Sequence, residues 1–299
     1  MKIDISKENI LARMQLPGSA KQLAIFRIAL GLQIFYSSSS KLFELLQGVR
    51  GTTTTKTIFP AFADQLIAAM VSPHLIIIVQ VLSIFLVVGL FTRYILPLLF
   101  AAFLMLFGYW YVKYNAPVPW LYIWFPLLIL CFTRCADTLA VDSLLRLTKA
   151  ETKNTSIYRW PVEVITGWFA YIYVAAGLAK MLPVVKALAW MNGGTSHKII
   201  HDRFLDSVLY YLFGKPFLDY TEHAWLFAAL SVFSFLIEIA CLVLYFTNRF
   251  NYTILFLVIS MHFFLYLTGV PAFMQLALIL SICLLPPQLF MAKNKAAQQ

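Results

Sequence analysis

Four ionisable side chains fall inside otherwise apolar runs: Arg27 in LAIFRIALGL, Lys180 in YIYVAAGLAKML, Glu238 in FSFLIEIACL and His262 in VISMHFFLYL. A charge at mid-bilayer costs about 2.5–3.5 kcal/mol on insertion scales unless it faces a partner, water or a ligand, so these four are the candidates for chemistry. Glu238 has no neighbouring charge in sequence and is too short to snorkel, which predicts a protonated carboxyl or a cationic partner from another helix. His262 is equally central; imidazole can titrate near neutral pH and hold an acid, or simply pack as a core residue. Arg27 sits about a turn and a half into its run and either reaches out to head groups or joins the site. Lys180 ends its run just before Pro183, as an interfacial anchor or as a site residue. Ala176 and Gly177, four and three positions earlier, would leave room on the same face for a ligand or another backbone to approach the amine.

The elements that must position these groups are membrane-spanning helices. The chain is 61% hydrophobic and 12% charged, with mean hydropathy +0.80, against about 45–50% apolar and about 25% charged in ordinary soluble domains. Apolar runs long enough to cross hydrocarbon, about 20 residues each, predict helices near 22–46, 74–94, 95–114, 118–136, 161–182, 224–246, 250–268 and 270–287. The fold class expected is thus an all-α integral membrane protein, about eight spans in one bundle forming a single domain over 1–299. GLFTRY and Gly269-Val270-Pro271 should each close a tight helical hairpin. The N-terminal segment 1–20 is polar and lacks a signal-peptide pattern, so the first helix is expected to stay.

Lys and Arg positions set the orientation. An inside N-terminus places 13 of them inside and 8 outside, which predicts both ends in the cytoplasm, with a short tail at 288–299. Two outer segments follow, about 47–73 and 183–223. Within the latter, HDRFLDSVLYYLF puts Phe204, Val208 and Tyr211 on one stripe and Asp202 and Asp206 off it, the pattern of an interfacial amphipathic helix. Tyr109-Trp110-Tyr111 and Trp120-Leu121-Tyr122 fall at predicted helix ends, where aromatics favour the interface. The net charge of +10 is spread over many short loops, which excludes a nucleic-acid stripe and fits contact with the lipid bilayer. Cys131, Cys135, Cys241 and Cys283 lie in or beside apolar runs without a CxxC pair or a nearby His, so neither thiol redox chemistry nor a metal site is expected.

At these residues the chain resembles the HTTM, or horizontally transferred transmembrane domain, family, related to the membrane part of vitamin K-dependent gamma-carboxylase. The resemblance runs in order through LAIFRIALGL, GLFTRY, ADTLAVDSLL, RWPVEVI leading into WFAYIYVAAGLAKM, AWMNGG, and the Glu238 and His262 segments. It implies a membrane-embedded site opening to the outer side, with a reduced quinone or other lipid as cofactor. The lysine of the AGxxK-like segment in the carboxylase is the base that starts oxygenation of the reduced quinone, and the matching residue here is Lys180. An amine in a poorly solvated pocket can act as such a neutral base. Lys180, His262 and Glu238 are then the candidate catalytic set, and Ala176, Gly177, Trp190 and Arg27 the candidate cofactor-binding residues. NAPVPWLYI, with Pro119 and Trp120, has no histidine where the carboxylase carries a functional one, and no large lumenal domain follows Met291. Carboxylation of glutamate is accordingly not expected. The length resembles the shorter bacterial SdpB type, associated with maturation of a secreted toxin peptide, in the cytoplasmic (inner) membrane.

Three functions compete at this stage. One is a quinone- or lipid-linked enzyme that modifies a secreted peptide or small substrate. A second is a non-enzymatic membrane subunit or a maturation or immunity factor that binds a membrane partner protein. A third is a DoxX-like redox subunit or transporter, against which no inverted repeat or paired broken helix is visible.

Overall fold

The computed structural model describes residues 7–38, 73–108, 121–145, 155–181, 184–202, 205, 207–214, 220–246, 252–268, 278–279, 281–285 and 289–290. All secondary structure among them is helical. The helices are α1 (Lys7–Gln15), α2 (Ala20–Ser37), α3 (Pro73–Val88), α4 (Thr92–Phe103), α5 (Leu121–Cys131), α6 (Val141–Leu144), α7 (Arg159–Met181), α8 (Val184–Met191), α9 (Gly194–Asp202), α10 (Val208–Phe213), α11 (Tyr220–Phe246) and α12 (Tyr252–Leu267). A π-helical turn, Leu104–Gly108, extends α4, and a 3-10 turn, Thr155–Tyr158, leads into α7.

Two of the described helices are long and apolar enough to cross a membrane by length and composition, over Thr155–Met181 and Glu222–Val243. Four more apolar helices, at His74–Val88, Thr92–Leu106, Tyr122–Cys131 and Leu255–Leu267, are shorter than 18 residues. The predicted run of eight full-length spans is thus met at full length by α7 and α11 among the described residues. Chain breaks explain part of the difference. The second and third predicted helices are parted at residues 89–91, not at 94, because Gly89 and Phe91 both adopt positive φ there. The expected outer segment 47–73 lies almost wholly outside the described residues. So do the Gly269-Val270-Pro271 hairpin, most of 270–287, Tyr109-Trp110-Tyr111 and Trp120.

The chain packs as two compact units. One comprises residues 14–165 and 286–299, the other residues 1–13 and 166–285. In the first, Ser19 caps α2 by accepting from the Gln22 N–H at 3.4 Å, as a serine at that position should. The end of α3 and the start of α4 are then built from side chains distant in sequence. Leu90 N–H closes onto the Phe85 carbonyl at 3.1 Å, which leaves Leu86 O without an intrahelical donor. Arg27 supplies one, through Nη1 at 2.8 Å, and its Nη2 donates to Leu139 O at 2.5 Å. Asp142 caps α4, accepting from Phe91 N–H at 2.7 Å and Thr92 N–H at 2.8 Å through its two oxygens. A carboxylate suits a helix N-terminus and a guanidinium a helix C-terminus, because each opposes the partial charge there. Three segments far apart in sequence, LAIFRIALGL, GLFTRY and ADTLAVDSLL, thereby meet. Gly89 has φ +73, and a Cβ there would overlap the Arg27 guanidinium and stand 2.5 Å from Ala140 Cβ, so any larger residue would displace the clamp.

In the second unit α7 and α11 run antiparallel. At one end Gly167 lies under Tyr245, whose hydroxyl would stand 2.7 Å from a Cβ at that glycine. The same Tyr245 holds α1: Arg13 donates from Nη1 to Tyr245 O at 2.6 Å and stacks over its ring at 4.7 Å. The segment 183–223 is partly helical, and HDRFLDSVLYYLF within it is not one continuous helix. The segment contains α8, α9 and α10, and the last begins only at Ser207, whose hydroxyl accepts from Tyr210 N–H at 3.0 Å. That cap starts a new helix in the middle of the predicted stripe, and Phe204 and Asp206 lie outside the described residues.

Candidate functional site

Lys180 and Glu238 meet at the other end of the α7–α11 contact. The ammonium donates to Glu238 Oε1, and also to Ser234 Oγ at 3.2 Å. It lies over the Trp190 ring, 4.6 Å from the centroid, within the range of a cation–π contact. Glu238 is 6% exposed, and its second oxygen, Oε2, is buried without a hydrogen-bond partner. The ion pair answers the expectation raised by Glu238: the cation comes from another helix, 58 residues earlier.

Small residues permit this approach. A Cβ on Gly177 would stand 3.2 Å from Ile239 Cδ1 and 3.4 Å from Glu238 Cβ. Of the two occupants expected on that face, a ligand or another backbone, it is α11 that fills the space at Gly177. Ala176 does not share it; it is exposed while Gly177 is buried. Trp190 is held by its own indole N–H, which donates to Ser231 O at 3.3 Å. The turn after it, Asn192-Gly193, presses on α11. With φ +82 at Gly193, a Cβ there would lie 2.5 Å from Ala228 N and from Phe227 C. His197, one turn into α9, packs edge-on against Phe227, ring centroids 5.4 Å apart. The AWMNGG segment thus serves to set the indole against the amine. Beyond Trp190, the Ser196 and Ser231 hydroxyls hydrogen-bond each other.

His262, on α12, is 3% exposed. Its Nε2 lies 2.6 Å from the Tyr173 hydroxyl. Tyr173 stands on the same face of α7 as Gly177 and Lys180, so the Tyr173–His262 pair lies about two turns along α7 from the Lys180–Glu238 pair. Tyr173 was not among the residues expected from the sequence. A signal for it exists: Tyr173, Gly177 and Lys180 follow i, i+4, i+7 on α7, matched on α11 by Ser231, Ser234, Glu238, Cys241 and Tyr245 at steps of three and four. Each set forms one face of its helix.

Arg27 stands apart from this set. It belongs to the other unit, is 0% exposed, and spends its guanidinium on the carbonyls of Leu86 and Leu139. It is neither a snorkelling anchor nor, by its contacts, a cofactor ligand. The long side chain turns inward because the terminal carbonyl of α3 gives it a better partner than the surface. The four cysteines are free thiols, three of them buried. No group of three or more His, Cys, Asp or Glu among the described residues could hold a metal ion.

What these pairs can do is exchange protons internally: an amine in direct contact with a carboxyl can share one proton with it, and a phenol bonded to an imidazole can do the same. Comparison of the chain with known proteins finds no matching family model, no matching curated protein and no matching solved structure.

Proposed function

We propose that this chain is an eight-span protein of the bacterial inner membrane, related to the HTTM kind, with both termini inside and its polar cluster open to the outer side. It acts as a lipid- or quinone-linked enzyme that modifies a secreted peptide or small substrate. The apolar exterior supports the membrane part, since Ile77, Leu98, Leu236 and Phe256 are all more than half exposed along helices, an arrangement suited to lipid. The observation that carries the chemical part is the Lys180–Glu238 pair, built between the two longest apolar helices among the described residues.

When Glu238 holds the shared proton, Lys180 is a neutral amine. It then accepts a proton from an acidic hydroxyl or carbon acid, and the ammonium formed stays beside the anion produced. Trp190 shields one side of the amine from water. The donor set fits a hydroxyaromatic lipid, which offers a flat apolar ring and an acidic O–H; a bound reduced quinone would supply the reducing power.

The test is organic extraction of the purified protein followed by mass spectrometry, with Lys180→Met beside wild type and thermal unfolding as the check on folding. A hydroxyaromatic lipid retained by wild type and lost from a folded Lys180→Met is the result expected. Equal retention, or none in either, overturns the reading. A second reading, a non-enzymatic subunit that binds a membrane partner, is favoured by how fully the amine is occupied. Glu238, Ser234 and Trp190 surround it, and Gly177 closes onto α11.

A further inference from the structure

The α3–α4 turn bounds a groove whose chemistry the Lys180 cluster does not use. It encloses about 770 Å³, and its lining includes Thr92, Arg93, Tyr94, Phe132, Arg134 and the carboxylates of Asp137 and Asp142. A volume of this order is the size of a small-ligand site.

Its two carboxylates are already engaged. Asp142 accepts the Phe91 and Thr92 N–H groups. Asp137 Oδ2 accepts the Tyr158 hydroxyl at 2.6 Å and the Arg134 Nε–H at 2.8 Å. Arg93, by contrast, is exposed and makes no ion pair among the described residues. Beside it, Thr92 is 3% exposed and its hydroxyl is buried without a hydrogen-bond partner, an orphan of the kind that a ligand oxygen would satisfy. The Arg93 and Arg134 side chains line the same groove as Thr92, and a guanidinium matches the geometry of a phosphate. At the rim, Tyr94 is 67% and Phe132 72% exposed, and such aromatics prefer the boundary between acyl chains and head groups.

We infer that this groove holds the phosphate of an anionic phospholipid, with Arg93 and Arg134 as its cationic contacts, the Thr92 hydroxyl as a donor, and Tyr94 and Phe132 against the upper acyl chains. The aromatic rim is what selects a lipid over a free phosphate ion, which would gain nothing from apolar surface. This assignment needs the protein to contact a bilayer, and is independent of any role of Lys180.

The experiment uses the full chain in detergent, titrated with phosphatidylglycerol, with phosphatidylcholine and with inorganic phosphate, read by thermal unfolding and by native mass spectrometry of retained lipid. Phosphatidylglycerol should be retained and should raise the unfolding temperature; the other two should not. Arg93→Gln should weaken phosphatidylglycerol binding about fivefold, since one cation beside an anionic lipid is worth about 1 kcal/mol. Arg93→Lys should keep most of the affinity, and Thr92→Val should lose part of it. Unchanged binding in both Arg93→Gln and Thr92→Val overturns the site. Equal retention of phosphatidylcholine overturns the role of charge, and an Arg93-dependent shift with inorganic phosphate overturns the choice of a lipid.

Discussion

Glu238 on α11 stands in the gap left by Gly177 on α7, so that a Cβ on the glycine would lie 3.5 Å from its Oε2, while its Oε1 takes the amine of Lys180 one turn further along. Removing one member of a buried ion pair leaves the other uncompensated, at about 3–5 kcal/mol. Lys180→Met and Glu238→Leu should each lower stability by that order, and the double variant by less than the sum of the two. Chemical unfolding in detergent measures the cycle; additive losses would show that the pair does not form.

Lys180→Arg separates base from anchor. Arginine keeps the charge and can still pair with Glu238, but it does not deprotonate. The variant should express and unfold near wild type while losing lipid-linked activity. Full activity in Lys180→Arg would remove the base role.

The Tyr173–His262 hydrogen bond should be visible in stability. Tyr173→Phe strands a buried imidazole nitrogen, a change worth about 1–3 kcal/mol. His262→Gln should cost less, because an amide can still meet the phenol. If Tyr173→Phe unfolds like wild type, the two side chains are not bonded.

Gly193 and Gly214 share a positive φ, +82 and +67, but not their surroundings, since a Cβ at Gly214 would meet nothing within 4 Å. Gly214→Ala should therefore cost only the left-handed strain, about 1–2 kcal/mol. Gly193→Ala must also push α8 and α9 off the α11 backbone. It should lower the unfolding temperature more and shift Trp190 fluorescence as the indole leaves the amine. Equal effects at the two glycines would mean that the AWMNGG turn does not seat on α11.

Topology is open to a direct check by cysteine substitution in intact cells. Lys198→Cys, on an exposed position of α9, should react with an impermeant thiol reagent, whereas Lys295→Cys should react only after permeabilisation. The reverse pattern would invert the orientation read from the 13 and 8 basic residues.

Composition and periodicity are local properties of the chain, and they carried the all-helical class, the position of α7 and α11, and the choice of Lys180, Glu238 and His262 as exceptional residues. An ionisable group in an apolar run is conspicuous wherever its partner lies. The stripes Tyr173–Gly177–Lys180 and Ser231–Ser234–Glu238 were legible too, because a helix converts spacing into a face. Partner choice was not. That Lys180 meets Glu238 rather than a head group depends on the register at which α7 slides along α11, which Gly167 and Gly177 set by contact with Tyr245 and Glu238. Arg27 shows the same limit from the other side. Its neighbours in sequence say only that a long cation sits in an apolar helix, and its burial follows from a carbonyl freed at the end of α3 and another presented at Leu139. Both carbonyls exist as acceptors only once the chain has turned at Gly89 and at Leu139, where φ is positive. A backbone group has no sequence signature of its own, so its demand for a donor becomes visible only when the fold has withdrawn it from the helix ladder and from water.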